Sequence, residues 1–424
     1  MSNAELDTDL MRSVVAAMPD GPLSSLRQSA VEQLARIGFP TVGDEDWKYT
    51  NLSEAAALSN EWLASGQAQA FAGETAAPDG SILEQIDAHW IVLRDGFVDP
   101  DLPGIDGVEF TPLADNQPQV SSEDSAMTLF NAALLRDGLH IKVSGGVSVA
   151  KPIGLLFIDS PSNAVNQSRI TIEVEPGASL DLLEILQSAA EGRQFTNAVV
   201  EIDVAADAAV NHVRIQSRQS DHSGVVRIAA ALGANAQFHH NSFDFGGALT
   251  RTDLVADING PGAEVSMNGL YLSSGDQHID NHTCVVHNVG PAKSREEYRG
   301  ILAGRSQCVF NGKVIVAEGA DGTDSGQSNH NLLLSNRAEI DTKPELEIYS
   351  DDVKCAHGAT VGQLDETALF YLRSRGIDPD SARQMITRAF ASETLNALSV
   401  EACRSYLETL LDVRLQELVG AGDE

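Results

Sequence analysis

The spacing of apolar residues changes twice along the 424-residue chain. Up to about residue 65 it is helical: Leu10, Val14 and Val15, then Leu26, Ala30, Val31 and Leu34, fall near i, i+4 positions. Residues so spaced share one helix face, which predicts helices with a single buried stripe. Gly38 and Pro40 break the pattern, and the Gly, Ala and Ser of residues 65–82 read as a linker. From Trp90 to about Tyr349 the period falls to two. Runs such as Arg169 to Val174 (RITIEV) and Val199 to Val204 (VVEIDV) alternate as half-buried strands do. Helical spacing then returns. Asp365 predicts a cap for a helix carrying Leu369, Phe370 and Leu372, with Gly376 just past its end. Asp378-Pro379 opens a second helix with Ala382, Met385, Ile386, Ala389 and Phe390 on its stripe. A third starts near Ser399 and carries Cys403, Tyr406, Leu407, Leu410 and Leu411. The chain therefore divides into a helical region and linker (1–82), a strand-rich core (83–350) and a Cys/His segment with a helical lobe (351–424).

Within the core, turn-then-strand units begin at Gly177, Asp207, Asn235, Gly262, Arg305 and Arg337. Their starts are 27 to 32 residues apart, except for one step of 43. Units of this length suit the coils of a parallel β-helix, each covering the apolar face of the next. A β-sandwich is the alternative that composition leaves open.

Charge narrows the partners. With 61 acidic and 28 basic residues the formal net charge is −33, which repels phosphate backbones and anionic lipids. Nucleic acid and membrane surfaces are thus excluded as expected partners. Hydrophobic content of 42% fits a folded globular protein. The four cysteines (Cys284, Cys308, Cys355 and Cys403) form no Cys-x-x-Cys pair and fit reduced thiols in a cytoplasm. Residues 1–20 carry Glu5, Asp7 and Asp9 without a continuous apolar run, so no secretory signal is expected, and no stretch is long enough to span a bilayer. Gly312-Lys313 lacks the rest of a phosphate-binding loop, and neither G-x-S-x-G nor H-E-x-x-H occurs. The chain is not expected to hydrolyse ATP, and it reads as a scaffold more than an enzyme.

Two stretches hold candidate chemistry. In Asp351 to Thr360 (DDVKCAHGAT) a thiol and an imidazole, Cys355 and His357, stand two residues apart, in outline a soft metal or sulfur site. The plain alternative is a small buried Cys and a structural His. In Gln277 to Cys284 (QHIDNHTC) an extended backbone puts His278, Asp280, His282 and Cys284 on one face. Such residues diverge by roughly 7 Å per two-residue step, so a hydrogen-bonded strand face is preferred to a metal site. His239, His240 and His330 are read the same way. Glu45 to Leu52 (EDWKYTNL) is read as an aromatic anchor packing its lobe on a neighbour rather than as a binding site.

The run from Asn329 to Ile377 (NHNLLLSNRAEIDTKPELEIYSDDVKCAHGATVGQLDETALFYLRSRGI) resembles the SufD family, scaffold subunits of the SUF iron-sulfur cluster assembly machine. Met267 to Tyr271, Gln277 to Leu302 and Val309 to Lys313 resemble it in the same order, and the likeness is clear from about Gly260 to Ala391. It implies a mainly β protein: a right-handed parallel β-helix core with helical lobes at both ends. It also implies a non-catalytic scaffold, paired with its paralogue SufB through the β-helix ends and bound to the SufC ATPase through the C-terminal lobe. Leu369, Phe370, Arg375, Met385 and Phe390 are the candidate partner-binding residues there. A homodimer of the isolated chain is left open. By position, His357 and Cys355 become the cluster interface: His357 a neutral imidazole ligand to iron or a nascent cluster, Cys355 a second thiolate ligand or a neighbour that tunes the site. No tightly bound cofactor is expected, only iron and sulfide or persulfide in transit. One departure stands out, since Ala320 to Gln327 (ADGTDSGQ) holds Gly322 where relatives carry lysine, so no role is assigned there. Two other readings remain: a β-helix polysaccharide-active enzyme using Asp244, Arg251 and Asp253, and a stand-alone metal-binding protein using the His278 to Cys284 face.

Overall fold

The computed structural model describes residues 4–66, 80–116, 118–160, 164–188 and 192–421. Most of the expected linker, residues 67–79, lies outside them. The chain opens with helices α1 (Thr8–Ala17), α2 (Ser24–Ile37) and α3 (Ser53–Ala64), which bury the anticipated stripes. Asp7 caps α1 by accepting from the Leu10 amide.

After α4 (Gly80–Gln85), strands β1 (His89–Arg94), β2 (Phe97–Val98) and β3 (Val108–Pro112) close the first end of the core. Then comes α5 (Ala126–Leu134), a helix that the reading of this region as strands passed over. Every residue from Met127 to Leu134 is buried, so no polar face marks the helix in the sequence. Strand β4 (Leu139–Val143) follows.

From there the chain is one regular coil. Its strands are β5 (Ile153–Asp159), β6 (Val165–Val174), β7 (Ser179–Ser188), β8 (Gln194–Val204), β9 (Ala209–Gln216), β10 (His222–Leu232), β11 (Gln237–Asp244) and β12 (Leu249–Ile258). They continue as β13 (Glu264–Ser273), β14 (His278–His287), β15 (Lys293–Leu302), β16 (Gln307–Val316), β17 (Thr323–Leu333), β18 (Glu339–Ile348) and β19 (Val353–Gly362). Each pairs in parallel with the strand two places on, so odd and even strands form two facing sheets, a solenoid of about eight turns. Corners after successive even strands need a residue in the left-handed region, supplied by Gly177, Asp207, Asn235 and Gly262. These are the unit starts seen in the sequence. Arg305 and Arg337 instead precede β16 and β18 in the other sheet, so the long step is one and a half coils. Gly322 is also a left-handed corner residue, its amide donating to the Asp352 carbonyl at 2.7 Å, and not part of the interior.

Alternation within each strand sets three apolar layers. The interior is filled from both sheets by residues such as Leu182, Phe238, Val200 and Ile228. The outer face of the even sheet, with Val165, Phe195 and Val225, is covered by α1 to α3 and α5. The outer face of the odd sheet, with Leu183, Ile215, Phe243 and Leu270, is covered by α4 and, past α6 (Glu366–Ser374), by the C-terminal helices α7 (Pro379–Asn396) and α8 (Arg404–Ala421), with α6 packing on α7. Asp365 and Asp378 cap α6 and α7 as expected, whereas α8 starts at Arg404, after a single tight turn at Glu401–Cys403. Among the described residues no helix is long and apolar enough to cross a membrane.

Candidate functional site

The Cys/His segment is the last strand of the solenoid, β19, not a connector. It pairs in parallel with β17, putting Cys355 beside Ser325 and His357 beside Gln327. Ser325, Gln327, Asn329 and Asn331 are the buried, inward residues of β17, so Cys355, His357, Ala359 and Val361 continue those columns. Among the described residues no coil follows β19, and these columns therefore end at an open face. His357 is exposed there, and its ring makes no hydrogen bond among the described residues. Cys355 is half-buried against Val314, Val316 and Ala320. Burial pushes its thiol up, partly offset by the Ser325 backbone, so the sulfur is protonated at neutral pH. Behind Cys355 runs a polar file: Ser325 Oγ lies 2.8 Å from Ser294 Oγ, which lies 2.9 Å from His287 Nε2. Burial lowers His287 to about 4, keeping that ring neutral.

The His278 to Cys284 stretch is β14, and its face is locked. Thr50, from the N-terminal lobe, reaches His278 Nε2 at 2.8 Å and also hydrogen-bonds Asp280. Arg251 Nη1 donates to Asp280 at 2.8 Å, and His282 Nε2 lies 3.1 Å from its other oxygen. The Arg251 guanidinium lies 3.8 Å from the centre of the Trp47 ring and donates to the Asp46 carbonyl at 2.6 Å. This face is hydrogen-bonded, as expected of a strand face, and it is also the seat of the Glu45 to Leu52 anchor. Burial alone would raise the Asp280 carboxyl, but Arg251 and His282 outweigh it and hold it well below the usual range.

The remaining candidates are dispersed. Asp244 faces inward and pairs with buried Arg214 at 2.7 Å, whereas Arg251 and Asp253 lie on the outer face of the opposite sheet. The three do not share a surface. Buried His240 meets His212 inside the solenoid at 3.1 Å, His239 lies on the outer side of the same strand, and His330 bonds Thr360 at 2.9 Å. Cys403 is core, its thiol directed to the Val400 carbonyl at 3.2 Å. On the C-terminal lobe, Phe370 (72%) and Met385 (51%) are exposed, and Arg375 stacks on Tyr371. Leu369 is buried beside Leu333, Leu334 and Leu364, and Phe390 is half-buried under Arg299.

One constellation escaped sequence reading. Ser188 Oγ lies 3.0 Å from His222 Nδ1, and His222 Nε2 lies 3.3 Å from Asp159. The row has the outline of a hydrolytic triad without its electrostatics. Burial and Arg218 lower His222 to about 3, and Asp159 is already engaged by Arg218 at 3.0 Å. So weak a base is a poor acceptor for a serine proton. Among the described residues no three His, Cys, Asp or Glu side chains gather so as to hold a metal ion.

Known proteins match most of this chain. The family described as SUF system FeS cluster assembly, SufBD core domain, matches residues 156–390. The iron-sulfur cluster assembly protein SufD of Escherichia coli is 35% identical over 92% of this chain and 92% of its own length. An iron-sulfur cluster assembly SufBD family protein of Synechocystis is 28% identical over 97% and 96%. SufD of Bacillus subtilis is 24% identical over 70% and 68%.

Proposed function

The chain belongs to the SufBD family and has a role in SUF iron-sulfur cluster assembly, and we propose that it is a scaffold subunit with no chemistry of its own turnover. In this reading the open end of the solenoid faces a paralogous SufB-type chain. Each member of the pair carries a SufC-type ATPase on its helical lobe, and ATP-driven movement of the ATPases opens the interface between them. Iron and sulfide or persulfide are the cargo. His357 supplies a neutral imidazole and Cys355 a thiol that loses its proton on taking metal. The observation that carries this reading is the position of the pair: two soft donors on the inward columns of a coil that has no successor. Two donors are too few for a closed tetrahedral site, so the reading needs further ligands from across the interface. Exposed Phe370 and Met385 support the C-terminal lobe as the seat of the ATPase in this reading.

The test is co-expression with the SufB-type and SufC-type partners of the same system, purified through this chain, with wild type beside His357→Ala. The expected result is one complex in both cases, with anaerobic cluster formation only in wild type. A purification that brings down no ATPase overturns the assembly. Unimpaired cluster formation by the variant removes His357 from the site.

A further inference from the structure

The interior lane that ends at His357 changes character along the solenoid. Reading forward by register, it runs Leu182, His212, His240, Met267, Glu296, Gln327, His357. Its last three members are polar, and the two behind His357 are sealed. Glu296 and Gln327 are 5% and 4% exposed, and Gln327 Nε2 donates to Glu296 Oε2 at 2.6 Å. That bond leaves Gln327 Oε1 buried with no hydrogen-bond partner among the described residues. A buried amide oxygen without a partner is costly, and native structures rarely tolerate one without a reason. The neighbour one coil forward is an imidazole, also without a hydrogen-bond partner among the described residues, at a strand spacing of roughly 4.8 Å. Opposite, the facing strand presents Gly312, where any Cβ would strike the Gln327 amide, so the lane is kept clear for this side chain.

We propose that Glu296 and Gln327 are positioning residues for His357: Glu296 fixes the Gln327 amide, and Gln327 Oε1 accepts one ring N–H of His357, leaving the other nitrogen bare toward the open end. The inference deepens the reading of His357 as a cargo ligand. An imidazole ligand needs its second nitrogen held as N–H, and the residue that holds it selects the tautomer and aims the ring. Glu296 suits the first task. Its carboxyl is inside the solenoid with no cation beside it among the described residues, raised by burial to about 7 and tempered by Gln327 and Thr283, so the amide is its main anchor.

The experiment needs neither iron nor partners. In the full chain with nitrogen-15 histidine, two-bond proton–nitrogen correlation spectra report which ring nitrogen carries the proton, with His357→Ala assigning the signal. Wild type is expected to show one tautomer at His357. Gln327→Met, which keeps the volume and removes the amide, is expected to give the tautomer mixture of a free imidazole. Glu296→Met, which keeps the length and removes the acceptor of the Gln327 Nε2 bond, is expected to shift the His357 signal toward that mixture, and it decides the matter if Gln327→Met does not fold. A tautomer mixture in wild type, or unchanged His357 signals in the variants that fold, overturns the proposal. Because the readout is independent of cargo, such a failure leaves the cluster-formation test of His357 untouched.

Discussion

Strands β14 and β19 both carry histidine and cysteine at alternate positions, and each has a buried acid nearby. They behave as opposites. On β14 the residues His278, Asp280, His282 and Cys284 point outward, and the N-terminal lobe closes over His278 and Asp280 with Thr50, and over Arg251 of the neighbouring strand with Trp47. On β19 Cys355 and His357 point along the interior columns, where no further coil covers them. Asp280 is buried beside a cation and is held ionised, while Glu296 is buried without one and is driven toward its neutral form. The same residue types thus make a structural clasp in one place and an open pair of donors in the other. What separates them is the face of the strand and whether anything packs on it.

The largest effect should come from breaking the clasp. Arg251→Met leaves the Asp280 charge buried and unmatched, and a broken buried pair costs about 3–5 kcal/mol. Urea unfolding monitored at Trp47 should show that loss, with much of it recovered when Asp280→Asn is added. Next comes the interior acid. The Glu296 carboxyl titrates at about 7 in the folded chain against an ordinary 4.5, so the folded state binds more protons between those values. The contribution of Glu296 to stability is then fully present below pH 4.5 and is lost as pH rises through 7. Glu296→Gln removes that dependence. It should match wild type in acid and exceed it above neutrality by on the order of 3 kcal/mol. Equal stability at both ends of the range would mean that Glu296 ionises normally.

The sequence made the architecture legible because a solenoid repeats its own grammar. Corner residues Gly177, Asp207, Asn235 and Gly262 recur at coil spacing, so both the period and the strand type are written locally. Helix α5 was illegible because its burial on all sides erases the periodicity on which helix reading depends. For the site, Cys355 and His357 stood out as soft ligands at close spacing. Gln327 and Glu296 did not, since they are 30 and 61 residues upstream of His357 and only the register brings them into its column. The clasp was half legible: the polar face of β14 and the aromatic anchor were each visible, but that they meet is a long-range fact.

A smaller effect tests how the clasp is fastened. Thr50 is fully buried, with its hydroxyl between His278 and Asp280. Thr50→Val keeps the shape and removes those bonds, which should cost about 1–2 kcal/mol. The N-terminal lobe should also become the first site of limited proteolysis, ahead of the coils, because its anchor to the even sheet is what was weakened. Cleavage beginning elsewhere would mean that Trp47 on Arg251 holds the lobe without Thr50.

The smallest expected effect is at the residue with the largest proposed role. His357 is exposed, and the one hydrogen bond proposed for its ring is the one to Gln327, so His357→Ala should change the stability of the isolated chain by no more than about 1 kcal/mol. His282→Ala, on the clasp, should cost more, because it withdraws a partner 3.1 Å from a buried carboxylate. Side-by-side urea unfolding of the two variants sharpens the comparison from which they come. If His357→Ala were as destabilising as His282→Ala, the open end would be bearing structure, and a histidine that the fold itself requires is a poorer candidate for a ligand that must accept and release cargo. If its cost stays that small, the fold leans little on the imidazole there. Any loss it then causes in cluster formation belongs to chemistry at the interface and not to the integrity of the coil.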